Sequence, residues 1–338
     1  MLLKRLCEEN GVSGNEEAVR DLIYEELRRY ADEVHISSIG NMIALKKGRS
    51  SEKRVMVAAH MDEVGFIISG FTDQGYLKFK KVGGIDTRVL ISKKVTVGPQ
   101  KIKGVIGMKA IHLQKKEERE NVPEVQTLFI DIGAKNKEDA QNMVQLGDYA
   151  AFDTEFSAFG DGKYKGKALD DRAGCAVMLD LIKDTYEYDT YFCFTVQEEV
   201  GLRGAQVAAN AVKPDIALVL ETTTCSDVHG TEPHEYATQL GKGVVVTFMD
   251  MRTIMPAELV DWLYRAAKEA QIPVQYKNTT MGGNDAGAIH VAGHGVRTAA
   301  LSIPCRYLHA PAGVIAESDM EAMKNLAALF LRRINEVI

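Results

Sequence analysis

The amino-acid sequence predicts an α/β protein in which helices cover a large sheet in three layers, with a small β-rich domain inserted. Two observations support this fold class. Strand-like and helix-like patterns alternate on both sides of residues 67–160, whereas those residues carry short β-like runs and many glycines. The chain has 338 residues, 46% of them hydrophobic and 26% charged, which is ordinary for a globular protein. That length can bury one large core or two separate ones.

The alternating part begins with two helical patterns, for the second of which Asn15 is the expected N-cap. Pro256 suits the first turn of a later helix, and Ser318 with Glu321 forms the pattern of a capping box. Strands that alternate with helices favour a three-layer α/β domain. We expect helices at residues 2–9, 15–30, 172–185, 202–212, after Pro256 and from Ser318, and strands at 41–45, 54–59, 190–196, 215–220, 244–249 and 298–303.

The middle of the chain has a different pattern. Short β-like runs lie at residues 76–80, 94–97, 104–108 and 127–131, and the main helical pattern there covers residues 136–144. We therefore predict two domains, one formed by residues 1–66 plus 161–338 and the other by residues 67–160.

Composition argues against several classes of protein. The formal charge of −6 is mild, and no block of lysine or arginine suggests a nucleic-acid or membrane partner. Without a secretory leader pattern or an apolar run of about 18 residues, a cytoplasmic protein is expected. The five cysteines are scattered and form no CxxC pair, which is typical of reduced, buried thiols. Cys305 lies close to His309, so a nucleophilic thiol is a minor alternative.

Residues that can bind metals follow the apolar runs. Taken singly, each has a simple structural explanation: a core-edge histidine, a helix N-cap or a solvated acid. However, the carboxyl ends of parallel strands meet at one edge of a sheet, so we expect these side chains to converge. Two histidines and five carboxylates without a thiolate suit a pair of divalent cations. The residues are His60, Asp62, Asp170, Glu198, Glu199, Glu221 and His309.

The adjacent Glu198 and Glu199 are the most informative pair. One carboxylate can bind a cation while the other remains free to take a proton from water. Because neighbouring residues of a strand face opposite sides, both can serve one site only if the chain turns there. Val200 and Gly201 can supply that turn.

Four motifs resemble the glutamyl and deblocking metallo-aminopeptidases of peptidase family M42, within the clan of co-catalytic zinc exopeptidases. The resemblance extends from Met1 to Ile338. The motifs are AHMDEVG at 59–65, ALDDRAG at 168–174, QEEVGLRGA at 197–205 and PCRYLHAP at 304–311. Some members of this family carry endoglucanase labels.

The resemblance implies a role for each residue. His60, Asp170 and Glu221 would hold one metal, and Asp170, Glu199 and His309 the other, with zinc or cobalt expected and manganese also possible. Glu198 would be the general base, Asp62 would orient His60, and Asp285 would line the substrate pocket. The chain has Glu221 where the family often has aspartate, and Asn284 where threonine is usual.

The resemblance also implies a partner and a reaction. The inserted domain would pair subunits, and the dimers would build a tetrahedral dodecamer. The expected reaction removes N-terminal residues from peptides by metal-activated water.

Four alternative functions are also compatible with the sequence. A carboxypeptidase would need a cation for the substrate carboxylate, which Arg172, Arg203 or Arg306 could provide. A related amidohydrolase would use the same metals on acylated amino acids. A glycosidase would need two opposed carboxylates and no metal. The fourth is a non-enzymatic metal-stabilised scaffold, which would not need Glu198.

Overall fold

The computed structural model describes residues 1–338 and contains nine α-helices and seventeen strands. The helices are α1 Leu2–Glu8, α2 Glu17–Leu27, α3 Lys116–Glu120, α4 Lys137–Met143, α5 Leu169–Leu181, α6 Arg203–Val212, α7 Ala257–Glu269, α8 Ala286–Ile289 and α9 Glu317–Arg332. The strands are β1 Glu33–Ile36, β2 Met42–Lys46, β3 Ser50–His60, β4 Gly65–Phe71, β5 Leu77–Val82, β6 Lys94–Val97, β7 Ile102–Gly107, β8 Phe129–Asp131, β9 Tyr149–Phe152, β10 Ser157–Phe159, β11 Lys163–Gly166, β12 Tyr188–Thr195, β13 Ile216–Thr224, β14 Val244–Val246, β15 Val274–Tyr276, β16 Arg297–Cys305 and β17 Gly313–Ala316.

An eight-stranded sheet with the order β1-β2-β12-β3-β13-β16-β14-β15 organises most of the chain. Its four central strands, β12, β3, β13 and β16, are parallel to one another. Continuous apolar runs such as residues 55–59 form these strands, because a central parallel strand is buried on both faces. The carboxyl ends of all four strands therefore lie at the same edge of the sheet.

Two groups of helices pack on this sheet. Helix α5 contacts β3 and β13 and also packs against α1 and α9, while α6 contacts α8 and β12. Helix α7 shows why these segments are helical: Leu259, Trp262, Leu263 and Ala266 recur at helical spacing and are buried. The sheet and its helices enclose one apolar core of 67 buried residues.

A closed six-stranded barrel forms the second unit, with the strand order β4-β5-β8-β7-β6-β9. It has its own apolar core of 17 buried residues, so its burial does not depend on the sheet. Phe66 lies at its centre, with its ring centroid 5.1 Å from that of Phe79 and 5.2 Å from that of Phe152 in edge-to-face contacts. The short strands β10, β11 and β17 form a separate three-stranded sheet.

The observed fold is a mixed α/β structure, as predicted, and most elements lie within a few residues of their expected positions. Two predicted caps are wrong. The N-cap of α2 is Glu16 rather than Asn15. Ser318 lies inside α9, whose N-cap is Ala316, because β17 runs directly into that helix. No helix is long and apolar enough to cross a bilayer.

Candidate metal centre

All the predicted ligands gather at the carboxyl edge of the sheet. His60 is the last residue of β3, and Glu221 lies inside β13, which continues to Thr224. Glu198 and Glu199 follow β12, and His309 lies in the loop after β16. Strand topology thus brings together residues that are up to 249 positions apart, from His60 to His309.

Asp170 lies at the centre of this group. Its Oδ1 atom is 3.4 Å from Nε2 of His60, and its Oδ2 atom is 3.3 Å from Nε2 of His309. Glu221 Oε2 lies 3.6 Å from the same nitrogen of His60, and Glu199 Oε2 lies 3.2 Å from that of His309. Two triads of donor atoms, each within 4.8 Å, therefore share Asp170.

Asp170 and its neighbour Asp171 have separate roles in the fold. Asp171 is fully buried and accepts a hydrogen bond of 3.1 Å from the backbone N–H of Gly174. Because the backbone of Asp170 and Asp171 is not helical, this bond caps the regular part of α5 that follows them. No backbone N–H donates to Asp170, and its Oδ1 atom is buried without a hydrogen-bond partner. The helix-cap explanation thus applies to Asp171, and both oxygens of Asp170 remain directed at the histidines.

Asp62 holds the turn that carries the two glutamates. Its Oδ1 accepts the backbone N–H of Glu198 at 3.0 Å, and its Oδ2 accepts that of Glu199 at 3.2 Å. The hydroxyl of Ser13 donates to Oδ2 at 2.5 Å. Nδ1 of His60 lies 3.4 Å from the carboxylate and 3.1 Å from the backbone carbonyl of Asp62. The carboxylate therefore fixes the glutamate turn as well as facing the imidazole.

Several residues around the site adopt a left-handed backbone conformation, which is uncommon for residues other than glycine. Gln197, with φ of 57°, turns the chain after β12 so that both glutamates face the same side. Such strained conformations cluster at functional sites. The others close to the site are Ala168, Leu202, Tyr307 and His309.

The carboxylates perturb one another strongly because they are buried together. Burial raises the pKa of Glu198 and of Glu221 well above the usual range, and it raises the pKa of Glu199 to about 7. Burial opposes protonation of His309, but the adjacent Asp170 and Glu199 raise its pKa to about 9. For the three glutamates the neighbouring carboxylates add to the effect of burial, and the nearby histidines oppose it.

The donor set fits divalent cations. The ion pairs of Asp170, Glu199 and Glu221 involve only histidines, with no lysine or arginine to balance their charge. Oxygen atoms Oδ1 of Asp170 and Oε1 of Glu221 are buried and accept no hydrogen bond. Carboxylate and imidazole ligands without thiolates suit zinc and similar borderline metals.

A cavity of about 450 Å³ opens beside these ligands. Its lining includes Glu198 near the ligands and Thr222, Thr279 and Asn284 farther along, and Lys277 is the one lysine or arginine in it. Asp285 is not among the lining residues: it is fully buried, and its Oδ2 accepts a hydrogen bond of 2.5 Å from the hydroxyl of Thr195.

A buried ionic network behind the site was not apparent from the sequence. Nζ of Lys167 donates to Glu63 at 2.6 Å, and the Arg172 guanidinium donates to the carbonyl of Met61 at 2.6 Å and also to that of Leu6. These bonds hold the segment between His60 and Asp62 against the N-terminal helix. The signal in the sequence was the charged residues Glu63, Lys167 and Arg172, which lie within or next to the motifs at 59–65 and 168–174.

Three alternatives from the sequence lose support. Arg172 is fully buried in that network, and Arg306 forms a two-pronged pair with Asp227 at 2.7 and 2.9 Å, so neither is free to bind a substrate carboxylate. Arg203 lies outside the cavity lining. Burial raises the pKa of the Cys305 thiol, which disfavours a nucleophilic thiolate. A non-enzymatic scaffold gives no reason for Glu198 to face an open cavity.

The fold and this donor set define a class of metal-dependent hydrolases. The profile of the M42 glutamyl aminopeptidases matches residues 40–326. A provisionally named aminopeptidase of Acetivibrio thermocellus is 40% identical over 94% of each chain. The lysyl aminopeptidase of Pyrococcus furiosus is 32% identical over 98% of this chain and 96% of its own. The protein therefore belongs to the M42 peptidase family, and it is a peptide-bond hydrolase for which the family implies divalent metals.

Solved structures agree with this assignment. A TET aminopeptidase from the archaeon Thaumarchaeota archaeon SCGC AB-539-E09 superposes with a TM-score of 0.95, at 37% identity over 98% of this chain and 95% of its own. The TET1 peptidase of Pyrococcus horikoshii, described as assembling into a tetrahedron or an octahedral shell, has a TM-score of 0.88 at 34% identity over 98% of both chains. A Thermotoga maritima structure described as an endoglucanase has a TM-score of 0.82 at 37% identity over 98% and 96%.

Proposed function

We propose that the protein is a dinuclear metal-dependent aminopeptidase that removes N-terminal residues from peptides. The observation that carries the proposal is Asp170, whose two oxygens face two different imidazoles at 3.4 and 3.3 Å. His60, Asp170 and Glu221 would hold one divalent cation, and Asp170, Glu199 and His309 the other. Zinc or cobalt is the expected metal, and manganese is also compatible with these ligands.

The chain's own residues would carry the proton transfers. Bound cations would supply polarisation of the scissile carbonyl and acidification of the attacking water. Glu198 faces the cavity and lies outside the two triads that share Asp170, while a third group of donor atoms joins it to His60 and Glu199. In the proposed mechanism it accepts the proton of the water and passes it to the leaving amine. Asp62 keeps this base in place through the backbone N–H of Glu198.

A free amino terminus fits this end of the cavity better than the alternatives do. The carboxylates of Asp170, Glu198 and Glu221 line the cavity and attract an ammonium group. The acylated amino acid that a related amidohydrolase would cleave has no such ammonium group. Hydrolysis rates measured on peptides with free and with blocked N-termini distinguish these two reactions. Hydrolytic activity that persists in the presence of a chelator would instead favour a glycosidase.

The general base gives the first prediction. Glu198→Gln should retain the metal content of the wild type but lose about 10²–10⁴-fold in kcat, because proton transfer contributes that much. Glu235→Gln is the matched control, since Glu235 lines the same cavity but is exposed. Steady-state kinetics and elemental analysis provide the measurements. If Glu198→Gln keeps most of the turnover, another group is the base.

The shared ligand gives the second prediction. Asp170→Ala should lose both cations because its oxygens would serve both, whereas His309→Ala should lose mainly one. Metal content per chain is measured after dialysis of each variant, with the wild type as reference. Loss of a single ion in both variants would contradict the bridging role of Asp170.

Lys277 suggests which side chain enters the cavity. It is 8% exposed, and its ammonium donates to the carbonyl of Met281 at 3.0 Å without forming an ion pair with a carboxylate. Burial lowers its pKa, although Asp250 and Glu221 counteract this effect. A buried ammonium with unused donors favours an acceptor from the substrate, and a carboxylate is the best acceptor. We infer a preference for an acidic first residue.

This preference is the third prediction. Lys277→Met should lower kcat/KM for a glutamyl substrate by about 10- to 100-fold, because a hydrogen bond to a charged group contributes about 1.5–3 kcal/mol. The same variant should change kcat/KM for a leucyl substrate much less. Lys242→Met, at an exposed position, serves as the control. Equal losses on both substrates would mean that Lys277 does not select the side chain.

Assembly is the remaining part of the proposal. The sheet unit would be a three-layer catalytic domain of residues 1–66 plus 161–338, and residues 67–160 would form the dimerisation domain. Exposed apolar side chains on the barrel unit, Ile111, Leu113 and Val122 among them, support a contact there. The tetrahedral assembly described for the horikoshii TET1 peptidase supports a dodecamer with enclosed active sites.

Light scattering at micromolar protein tests the assembly. The fourth prediction is a metal-loaded species close to twelve times the chain mass of 37.2 kDa. A species at the mass of one chain would exclude the enclosed dodecamer and leave the proposed chemistry untouched.

A further inference from the structure

The barrel unit contacts the candidate metal centre directly. Nδ1 of His309 lies 3.1 Å from the backbone carbonyl oxygen of Gly84, 225 residues away in the chain. Gly84 belongs to the loop of residues 83–87, which follows strand β5 of the barrel. The other ring nitrogen of His309, Nε2, faces Asp170 and Glu199.

This contact determines which nitrogen carries a proton. A carbonyl oxygen can only accept a hydrogen bond, so Nδ1 of His309 must be protonated for the contact to form. In the neutral imidazole the lone pair then lies on Nε2, on the side of Asp170 and Glu199. Histidines that bind metals commonly donate their other N–H to a backbone carbonyl in this way, which fixes both the tautomer and the ring orientation.

The barrel fixes the position of the carbonyl. Ile85 is 3% exposed and belongs to the barrel core. The ammonium of Lys81 donates to the carbonyl of Ile85 at 2.6 Å and lies 3.5 Å from the hydroxyl of Thr87. Both ends of the loop are thus attached to the barrel, so Gly84 cannot shift without disturbing these bonds.

The loop also fits closely against the site. Gly83 has a φ of 82°, and a Cβ atom there would lie 2.8 Å from Val64 Cγ1 and 3.3 Å from Glu199 Cβ. A Cβ atom on Gly84 would lie 3.6 Å from Nδ1 of His309. Glycine at position 83 therefore permits both the left-handed turn and the close approach to Glu199.

We propose that loop 83–87 of the barrel is a positioning element of the metal centre, and that the Gly84 carbonyl holds His309 with Nε2 directed at the Asp170–Glu199 side. The inference rests on the proposed ligand role of His309. Its consequence is that the barrel takes part in metal binding as well as in any contact between subunits.

Lys81→Met tests this positioning without touching a ligand. Loss of the bond to Ile85 frees the loop, and calorimetric titration of the metal-free protein with Zn²⁺ should show the site of Asp170, Glu199 and His309 losing about 10- to 100-fold in affinity. The absorption spectrum of the Co²⁺-loaded protein should change with it, because the ligand geometry changes. Lys80→Met is the matched control, since Lys80 is exposed on the same strand.

Gly83→Ala provides an independent test by straining the loop, with Gly133→Ala as its control. Gly133 lies in the barrel unit at a φ of 75°, and a Cβ atom there would meet nothing within 4 Å. Both changes impose a similar backbone strain, and only Gly83→Ala adds close contacts, with Val64 and with Glu199. Gly83→Ala should weaken Zn²⁺ binding, and Gly133→Ala should not.

The outcomes separate this inference from the proposed function. If His309→Ala loses one ion while Lys81→Met and Gly83→Ala bind Zn²⁺ as the wild type does, the loop has no positioning role and the ligand assignment stands. If His309→Ala itself keeps both ions, the ligand assignment fails and the inference fails with it. Weakened binding in both loop variants, with unchanged controls, supports the inference.

Discussion

The buried carboxylate of Asp62 connects the parts of the site to one another. It accepts the backbone N–H groups of Glu198 and Glu199 at 3.0 and 3.2 Å, accepts the hydroxyl of Ser13 at 2.5 Å and lies beside the ring of His60. Its two oxygens therefore join the end of β3, the turn after β12 and the N-terminal segment. Hydrogen bonds that backbone N–H groups donate to a charged acceptor are stronger than those to a neutral one, and burial strengthens them further.

The buried acids of the candidate metal centre repel one another, so the surrounding structure has to hold them in position. Burial raises the pKa of Glu199 to about 7, and repulsion from the carboxylates of Asp170 and Asp62 adds to this effect. Rigid attachments surround these acids: the Lys167–Glu63 pair at 2.6 Å, the Arg172 bonds to backbone carbonyls and the barrel loop against His309. A site arranged in this way is ready to receive positive charge with little rearrangement.

The sequence could predict the parts that follow from topology. Parallel strands share an edge, so motifs that follow apolar runs must meet there, and His60, Glu221 and His309 do meet. The contacts of Ser13 with Asp62 and of Gly84 with His309 could not be predicted, because they join segments that no sequence periodicity relates. Lys277 was also missed, because it belongs to none of the recognised motifs. One local pattern gave a wrong prediction. Ser318 and Glu321 form a capping-box pattern, but α9 begins at Glu317, directly after β17 ends at Ala316, so Ser318 lies inside the helix. The ligand roles themselves remain predictions.

Closure of the barrel limits how copies of the chain could associate through it. Each of its six strands pairs with two neighbours, so no strand lies at an open edge of the sheet, although the β5–β8 pairing is the single residue pair Leu77–Ile130. Closure favours recognition through side chains such as the exposed Ile111 and Leu113, which lie on the segment between β7 and β8, over recognition by addition of a strand. Partner choice at this surface can therefore change by substitution of a few exposed residues, without altering the hydrogen-bond ladder that holds the barrel together.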